Sequence, residues 1–218
     1  NLYVGGCKVN DAGLAHVGGM PNLRWVCLAG GTFTDDGLRH IAHLPKLGGV
    51  VLTRTRVTGT GFAALAGSKT LGNLEIKGSA GRRVELTEAG LRAIGSCESL
   101  TLLSFENVVV PDAGLAHVAA LRRLERLLLK GSTVGDAGMK HVARAGAETL
   151  DLSDTAVGDA GMAHLAAARF SGMLSIERTA VTDAGLAALA GCDRLRRVAV
   201  SGTKVTPAGV TAFQKALP

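Results

Sequence analysis

Val181-Thr182-Asp183-Ala184-Gly185-Leu186 is one copy of a pattern that occurs nine times in a chain of 218 residues. The glycine of the pattern stands at positions 13, 37, 61, 90, 114, 138, 161, 185 and 209. Successive copies are therefore 24 residues apart, except for one step of 29 and one of 23. A fixed period of about 20 to 50 residues is typical of stacked repeats that share one continuous core. The sequence thus predicts a single elongated domain, residues 1–218, of about nine repeats.

Each repeat is predicted to contain a short strand and a short helix. In 23–28, Leu-Arg-Trp-Val-Cys-Leu, the first, fourth and sixth residues are apolar. The last two alternate about one outward residue, as in a strand with one face on a core. After the glycine, Leu38, Ile41 and Leu44 recur every three residues and form the apolar stripe of a helix. One strand, one helix and a return in 24 residues place successive strands side by side and parallel, with all helices on the other face.

The residues before the repeat glycine fit the start of a helix. Threonine is a favoured N-cap, and we predict that role for Thr34, Thr58, Thr87, Thr182 and Thr206. The acidic residue that follows, as in Asp183, lies where the helix dipole is positive and favours the helix by about 0.3–1 kcal/mol. Pro207 replaces it in the last repeat and suits the first helical position. Where glycine replaces the threonine, at 135 and 158, we expect the aspartate to take over part of the capping.

The recurrence of glycine at a helical position indicates a steric constraint there. Glycine in a helical turn costs about 1 kcal/mol relative to alanine, and this cost recurs in all nine repeats. We expect the turn to approach the neighbouring repeat so closely that no Cβ fits. The alternative, an anion site at the helix start, needs an open face there.

The residues 47–57, Leu-x-x-Val-x-Leu-x-x-Thr-x-Val, follow the pattern L-x-x-L-x-L-x-x-N/C-x-L with threonine in the Asn/Cys position. The chain therefore resembles the leucine-rich repeat family over essentially its whole length. The continuation V-T-D-A-G-L resembles the subclass of F-box-type and related bacterial repeat proteins. The resemblance implies a right-handed α/β solenoid with a parallel β-sheet on the concave face and short α-helices on the convex face.

One repeat, the fourth, is five residues longer than the others. The insertion lies between strand and helix, at 77–86. Insertions of this kind form loops on one rim of a solenoid, often beside the binding face. A loop without a function is an equally open interpretation.

The sequence contains no motif that indicates an enzyme, a metal site or a cofactor, and none is predicted. G-x-S-x-G, P-loop and H-E-x-x-H patterns are missing. Five histidines, at 16, 40, 117, 141 and 164, each follow a repeat glycine by three residues. Neighbouring helices are about 8–10 Å apart, too far for one imidazole per repeat to share an ion. We expect half-buried histidines bonded to the preceding repeat.

Charge and cysteines bear on the partner and the compartment. The net charge is +6, but the arginines are scattered and stacking aromatics are few, which disfavours nucleic acid. Cys7, Cys27, Cys97 and Cys192 form no CxxC pair. They favour free thiols in a reducing compartment, hence the cytoplasm. No signal peptide and no apolar run of about 18 residues occur. Because Asn1 begins inside a repeat, a piece of a longer protein is an open alternative.

The outward strand positions are the predicted binding face, and the partner is expected to be another protein. Trp, Tyr and Arg are the side chains that carry binding hot spots, and apolar residues there exceed what a solvated sheet needs. The candidate contacts are Tyr3, Trp25, Val51, Arg54, Leu102, Arg126, Leu128, Asp151, Met173 and Arg178. Tyr3 and Trp25 have a second interpretation, packing against a further N-terminal repeat or cap. Two other functions stay open: a regulatory domain of a larger enzyme, and a module for nucleic acid or an anionic polymer.

Overall fold

The structure is a computed structural model that describes residues 1–79, 81–167 and 171–216. Within these residues one parallel sheet of nine strands follows the order of the sequence, one strand per repeat. The strands are Leu2–Gly5, Trp25–Ala29, Gly49–Thr53, Asn73–Lys77, Leu102–Glu106, Arg126–Leu128, Thr149–Asp151, Gly172–Ser175 and Leu195–Ala199. The predicted leucine-rich repeat architecture is confirmed, with strands and short helices alternating along the chain.

A short helix follows the strand of each repeat. The α-helices are Asp11–Gly18, Asp35–Ile41, Glu88–Gly95, Leu115–Val118, Asp136–Val142, Asp159–Ala167, Asp183–Ala188 and Pro207–Ala216. Three 3₁₀ segments are present as well, Thr60–Leu65, Asp112–Gly114 and Leu189–Gly191. The third repeat thus has a 3₁₀-helix in place of the α-helix. The last helix begins at Pro207, as predicted.

The core is a narrow layer between the sheet and the helices. Inward strand residues align across the sheet, so that Val26, Val50 and Leu74 are register partners and are all buried. Helix residues such as Leu38 and Leu91 close the layer from the other side. Each such side chain contributes about 1.5–3 kcal/mol on burial. Since every repeat supplies only a thin slice, the core is continuous only when the repeats stack.

The repeat glycine touches the preceding repeat, which confirms the steric prediction. A Cβ on Gly90 would collide with the carbonyl oxygen of Thr58, and one on Gly185 would collide with Oδ1 of Asp159. Among the described residues, a Cβ on Gly13 would meet only its neighbours Val9 and Asn10. The regular recurrence of this glycine along the chain therefore reflects contact between repeats.

Helix capping follows the prediction at four of the five threonines. The hydroxyls of Thr34, Thr87, Thr182 and Thr206 accept hydrogen bonds from N–H groups in the first turn of their own helices. The prediction for Thr58 is wrong. That repeat starts its 3₁₀-helix after Gly59, whose φ of 96° is left-handed, and Thr58 makes no cap bond.

The acidic residue at the helix start binds the next repeat, which the sequence interpretation missed. Asp159 accepts hydrogen bonds from the N–H and hydroxyl of Thr182 and from the N–H of Gly185, at 2.7–3.1 Å. A link of this kind joins six pairs of neighbouring repeats, through Asp11, Asp35, Asp112, Asp136, Asp159 and Asp183. We call this set the aspartate ladder. After Gly158, Asp136 of the preceding repeat accepts a hydrogen bond from the N–H of Gly161 in the first turn of the helix, so an aspartate does take over capping there. At Gly135 the expectation is wrong, because Asp112 bonds only the N–H of Gly135 itself.

The aspartate ladder is interrupted on both sides of the fourth repeat. Gly59 stands where the third repeat would carry the carboxylate, and Pro111 stands where the fifth would carry the threonine donors. In their place, Val84–Glu85 at the end of the insertion pairs with Val108–Val109 as a second, two-stranded parallel sheet. Within the insertion, the backbones of Ser79 and Arg82 exchange two hydrogen bonds. A backbone sheet thus replaces the carboxylate link between the fourth and fifth repeats.

Candidate binding face

The sheet surface opposite the helices, called the open face below, carries two rows of outward side chains. One row runs in register through Tyr3, Cys27, Val51 and Glu75, and continues through Ser104, Leu128, Asp151, Ser175 and Ala199. The other runs from Trp25 through Gly49, Asn73, Leu102, Arg126, Thr149 and Met173 to Arg197. Eight of the ten candidate contacts lie in these rows. Parallel pairing is the reason, since residues 24 apart become neighbours about 4.8 Å apart.

At the N-terminal end of the open face, Tyr3 lies beside a shallow apolar depression. Its side chain is 70% exposed. The depression, of about 240 Å³, is lined by Tyr3, Cys27, Val51 and their strand neighbours. Burial raises the pKa of the Cys27 thiol. This end can accept an apolar group from a partner.

The indole ring of Trp25 turns toward the strand Gly49–Thr53. A Cβ on Gly49 would collide with the ring carbons of Trp25, so the ring lies over that glycine. Trp25 is consequently half-buried. The signal was present in the sequence, since Gly49 is the single glycine in the outward row that begins with Trp25.

The C-terminal end of the open face brings four candidate contacts together. Arg126, Leu128, Asp151 and Met173 line one depression of about 330 Å³. Residues that the sequence interpretation did not select complete its wall, among them Thr149, Ser175, Arg197 and Ala199. Met173 is 43% exposed. Leu102 lies one strand outside this depression, in register with Arg126, and is half-buried.

Arg54 and Arg178 lie past the strand ends, on a rim that is separate from the open face. Both have left-handed backbones, with φ of 53° and 54°. The same position in other repeats is left-handed too, as glycine at 6, 30, 131 and 202, as Asn107 and as Asp154. The Arg178 guanidinium donates two hydrogen bonds, of 2.6 and 2.7 Å, to the carboxylate of Asp154. These bonds lower the pKa of Asp154 and raise that of Arg178, so Arg178 is already engaged within the molecule.

The histidines differ in their surroundings. Among the described residues, one histidine lies within ion-pair distance of the preceding repeat. This is His117, whose Nε2 is 3.8 Å from Oε1 of Glu88. His16, His40 and His164 are exposed, so half-burial was wrong for them. Burial, helped by Lys140 and Arg144, lowers the pKa of His141 against the opposing charge of Asp112. Across the described ranges, no three His, Cys, Asp or Glu side chains gather into a group that could hold a metal ion.

In the described part of the chain, no helix has the length and apolar character needed to cross a membrane.

Burial raises the pKa of the Cys97 thiol to about 12. Cys97 and Cys192 are core residues, and Cys7 is exposed.

Comparison with known proteins bears on the fold. Residues 148–166 match a family model described as Leucine Rich repeat. A search of curated proteins finds no match. Among solved structures, the chain is similar to an internalin from Listeria monocytogenes, with 12% identity and a TM-score of 0.43 over 100% of this chain and 85% of that one.

Proposed function

Because the chain is a leucine-rich repeat protein, we propose that it binds another protein through the open face of its sheet. One observation carries the proposal. The described residues include three large hydrophobic side chains that are exposed, Tyr3, Met20 and Met173, and two of them lie on this face. Exposed apolar groups rimmed by polar ones are typical of interaction sites.

The ten candidate contacts have unequal parts in this proposal. Tyr3 and Val51 line the N-terminal depression, while Arg126, Leu128, Asp151 and Met173 line the C-terminal one. Trp25 and Leu102 are half-buried side chains on the open face and lie outside both depressions. Arg54 and Arg178 contact a partner only if it reaches over the rim. Binding, with no catalytic step by these residues, is the proposed activity. The thiols of Cys7, Cys27 and Cys97, which form no disulfide, favour a cytoplasmic site of action.

The proposal is tested by photo-crosslinking in cells. A photoreactive amino acid is placed at Met173 on the open face and, in a matched control, at Ala187 on the exposed side of the helix in the same repeat. We expect a crosslinked protein from position 173 only, identified by mass spectrometry and confirmed by a Kd with the purified partner. Equal crosslinking from both positions, or none from 173, contradicts the proposal.

Salt dependence separates this function from binding to nucleic acid. Affinity for a polyanion falls steeply with salt because counterions are released. We expect the purified protein to bind an oligonucleotide too weakly for this slope to be measured above 100 mM salt, whereas the protein partner is retained. A tight and strongly salt-dependent oligonucleotide complex would identify the alternative.

A further inference from the structure

The C-terminal depression of the open face has a cationic group at each side. Arg126 and Arg197 occupy the same outward row, and Thr149 and Met173 lie between them in register. Three strand spacings separate the two arginines, about 14 Å. The register shift between the last two strands makes Arg197, and not Arg196, the partner of Met173.

Both guanidinium groups are without a partner in the described ranges of the chain. Neither makes a hydrogen bond or an ion pair there, and both residues are exposed. Arg178, on the rim, has a bidentate carboxylate partner in Asp154. An arginine fork matches a carboxylate in geometry as well as charge. The open guanidiniums of Arg126 and Arg197 are therefore two positions where a carboxylate of a partner would be bound.

The floor between them is mixed, because Leu128 and Ala199 are apolar whereas Thr149, Asp151 and Ser175 are polar. Leu128 and Ala199 lie in the second row on either side of Asp151 and Ser175. Met173 is the exposed large apolar side chain of this depression. Asp151 accepts a hydrogen bond from the N–H of Ser153 through Oδ1. Its charge repels an acidic group over the middle of the depression, so a carboxylate is favoured only at the two ends.

We propose that this depression binds an extended acidic segment of another protein, with two carboxylates four residues apart and a large apolar residue midway between them. An extended chain advances about 3.3 Å per residue, and residues i, i+2 and i+4 face the same side. Carboxylates at i and i+4 are thus about 13 Å apart, which matches the separation of Arg126 and Arg197. The apolar residue at i+2 then lies midway along the row, against the side chain of Met173. This inference rests on the proposed function and specifies the chemistry of the partner.

The test uses a labelled peptide and the intact protein. Fluorescence polarisation in about 20 mM salt, where charge pairs are weakly screened, is measured with Gly-Ser-Glu-Ser-Leu-Ser-Glu-Ser-Gly carrying fluorescein. We expect Arg126→Ala and Arg197→Ala each to weaken binding about tenfold, since each removes a charge-assisted hydrogen bond. Arg144→Ala removes the same charge beyond the helix of the sixth repeat and should leave the Kd unchanged. Thermal melting of all three variants checks that the fold is intact.

Two further peptides test the spacing. Gly-Ser-Ser-Glu-Leu-Glu-Ser-Ser-Gly has the same composition with its acids two residues apart, and a second peptide carries glutamine in place of glutamate. We expect both to bind at least about tenfold more weakly than the first peptide. Equal binding of the spacing variant, or equal loss in Arg144→Ala, overturns the proposal in favour of diffuse charge attraction.

The remaining outcomes distinguish this inference from the proposed function. If photo-crosslinking finds a protein on the open face but the acidic peptide does not bind, the acidic segment is wrong and protein binding stands. If crosslinking also fails, the proposed function is wrong as well. If a single-stranded oligonucleotide binds more tightly than the peptide and loses affinity in the same two variants, the anionic partner is nucleic acid and the proposal is overturned.

Discussion

At the residue scale, two substitutions are expected to change stability in opposite directions. One replaces an arginine that has a left-handed backbone, and the other replaces a glycine that is packed against the neighbouring repeat. Arg54 has φ of 53° at a rim position where other repeats have glycine. A left-handed conformation costs a residue with a Cβ about 1–2 kcal/mol. Its backbone N–H donates to the carbonyl oxygen of Lys77 in the next repeat, so the conformation is built into the stacking.

Arg54→Gly should therefore raise the free energy of unfolding, by about 1 kcal/mol, as measured by urea denaturation. Arg56→Gly is the matched control, because Arg56 is an exposed arginine two residues further on without a positive φ. It should lower stability, since glycine only adds freedom to the unfolded chain there. A stabilised Arg54→Gly that also loses partner affinity would mean that the arginine is present for binding. Equal effects of the two substitutions would refute the interpretation of the rim.

Gly185→Ala tests the packing glycine. In a free helix this change would stabilise by about 1 kcal/mol. Here the new methyl group would meet Asp159 and Val181, so we expect a loss of about 1–3 kcal/mol in urea denaturation. At the same position of the first repeat, the methyl group of Gly13→Ala would meet only the side chains of Val9 and Asn10 in its own repeat, and the change should be close to neutral. Similar losses at both sites would point to backbone conformation and away from contact between repeats.

At the scale of the element, helices are joined by the aspartate ladder, and one of its carboxylates, that of Asp159, links stability to pH. Desolvation alone would raise the pKa of Asp159, but hydrogen bonds from Thr182 and Gly185, together with Lys204, outweigh it and lower the pKa. A carboxyl group with a lowered folded-state pKa stabilises the fold above its unfolded value, near pH 4, and this contribution is lost as the pH falls through the folded value.

Asp159→Ala should lower the free energy of unfolding at pH 7 by about 1–3 kcal/mol, because the N–H groups of Thr182 and Gly185 lose their acceptor. The difference from the wild type should shrink as the pH falls from 5 toward 3. Urea titrations across that range measure it. Asp193→Ala removes an exposed aspartate outside the ladder and serves as the control. A difference that does not change with pH would rule out the charged bonds as its cause.

The extent to which sequence predicts each feature depends on whether the feature is repeated. Strand register, the inward rows and the role of Gly185 follow from a period of 24 residues and were predicted from it. The partner of Asp159 was not, because spacing places the carboxylate at a helix start without saying which of two stacked helices it binds. Arg178 was assigned to the binding face because spacing gave its position in the repeat but not its partner. Its partner Asp154 lies one period earlier, and only the turn geometry takes both residues off the sheet.

For the whole molecule, the interruption of the aspartate ladder divides the stack into two parts. The first three repeats are linked through Asp11 and Asp35, and the fifth to ninth through Asp112 and its successors. The stability of a repeat array depends on links between nearest neighbours. The fourth repeat joins both parts through sheet pairing, without a carboxylate.

Hydrogen exchange at intermediate urea concentrations should therefore show two midpoints, one for peptides from 1–66 and one for peptides from 112–216. Asp35→Ala should shift only the first midpoint and Asp159→Ala only the second. Mass spectrometry of exchanged peptides gives both values in one experiment. A single midpoint that both substitutions shift equally would mean that the stack unfolds as one unit.

The direction of the aspartate ladder also bears on how the protein is made. Every carboxylate precedes the groups that it binds by 22 to 26 residues. During translation, the carboxylate that accepts the hydrogen bonds is therefore synthesised before the N–H and hydroxyl groups of the next helix start. The growing end of such a stack displays a hydrated charge, and charges at a free edge discourage association with other chains. Nascent chains that stop after one of these aspartate-bearing repeats would therefore be protected against aggregation while translation continues.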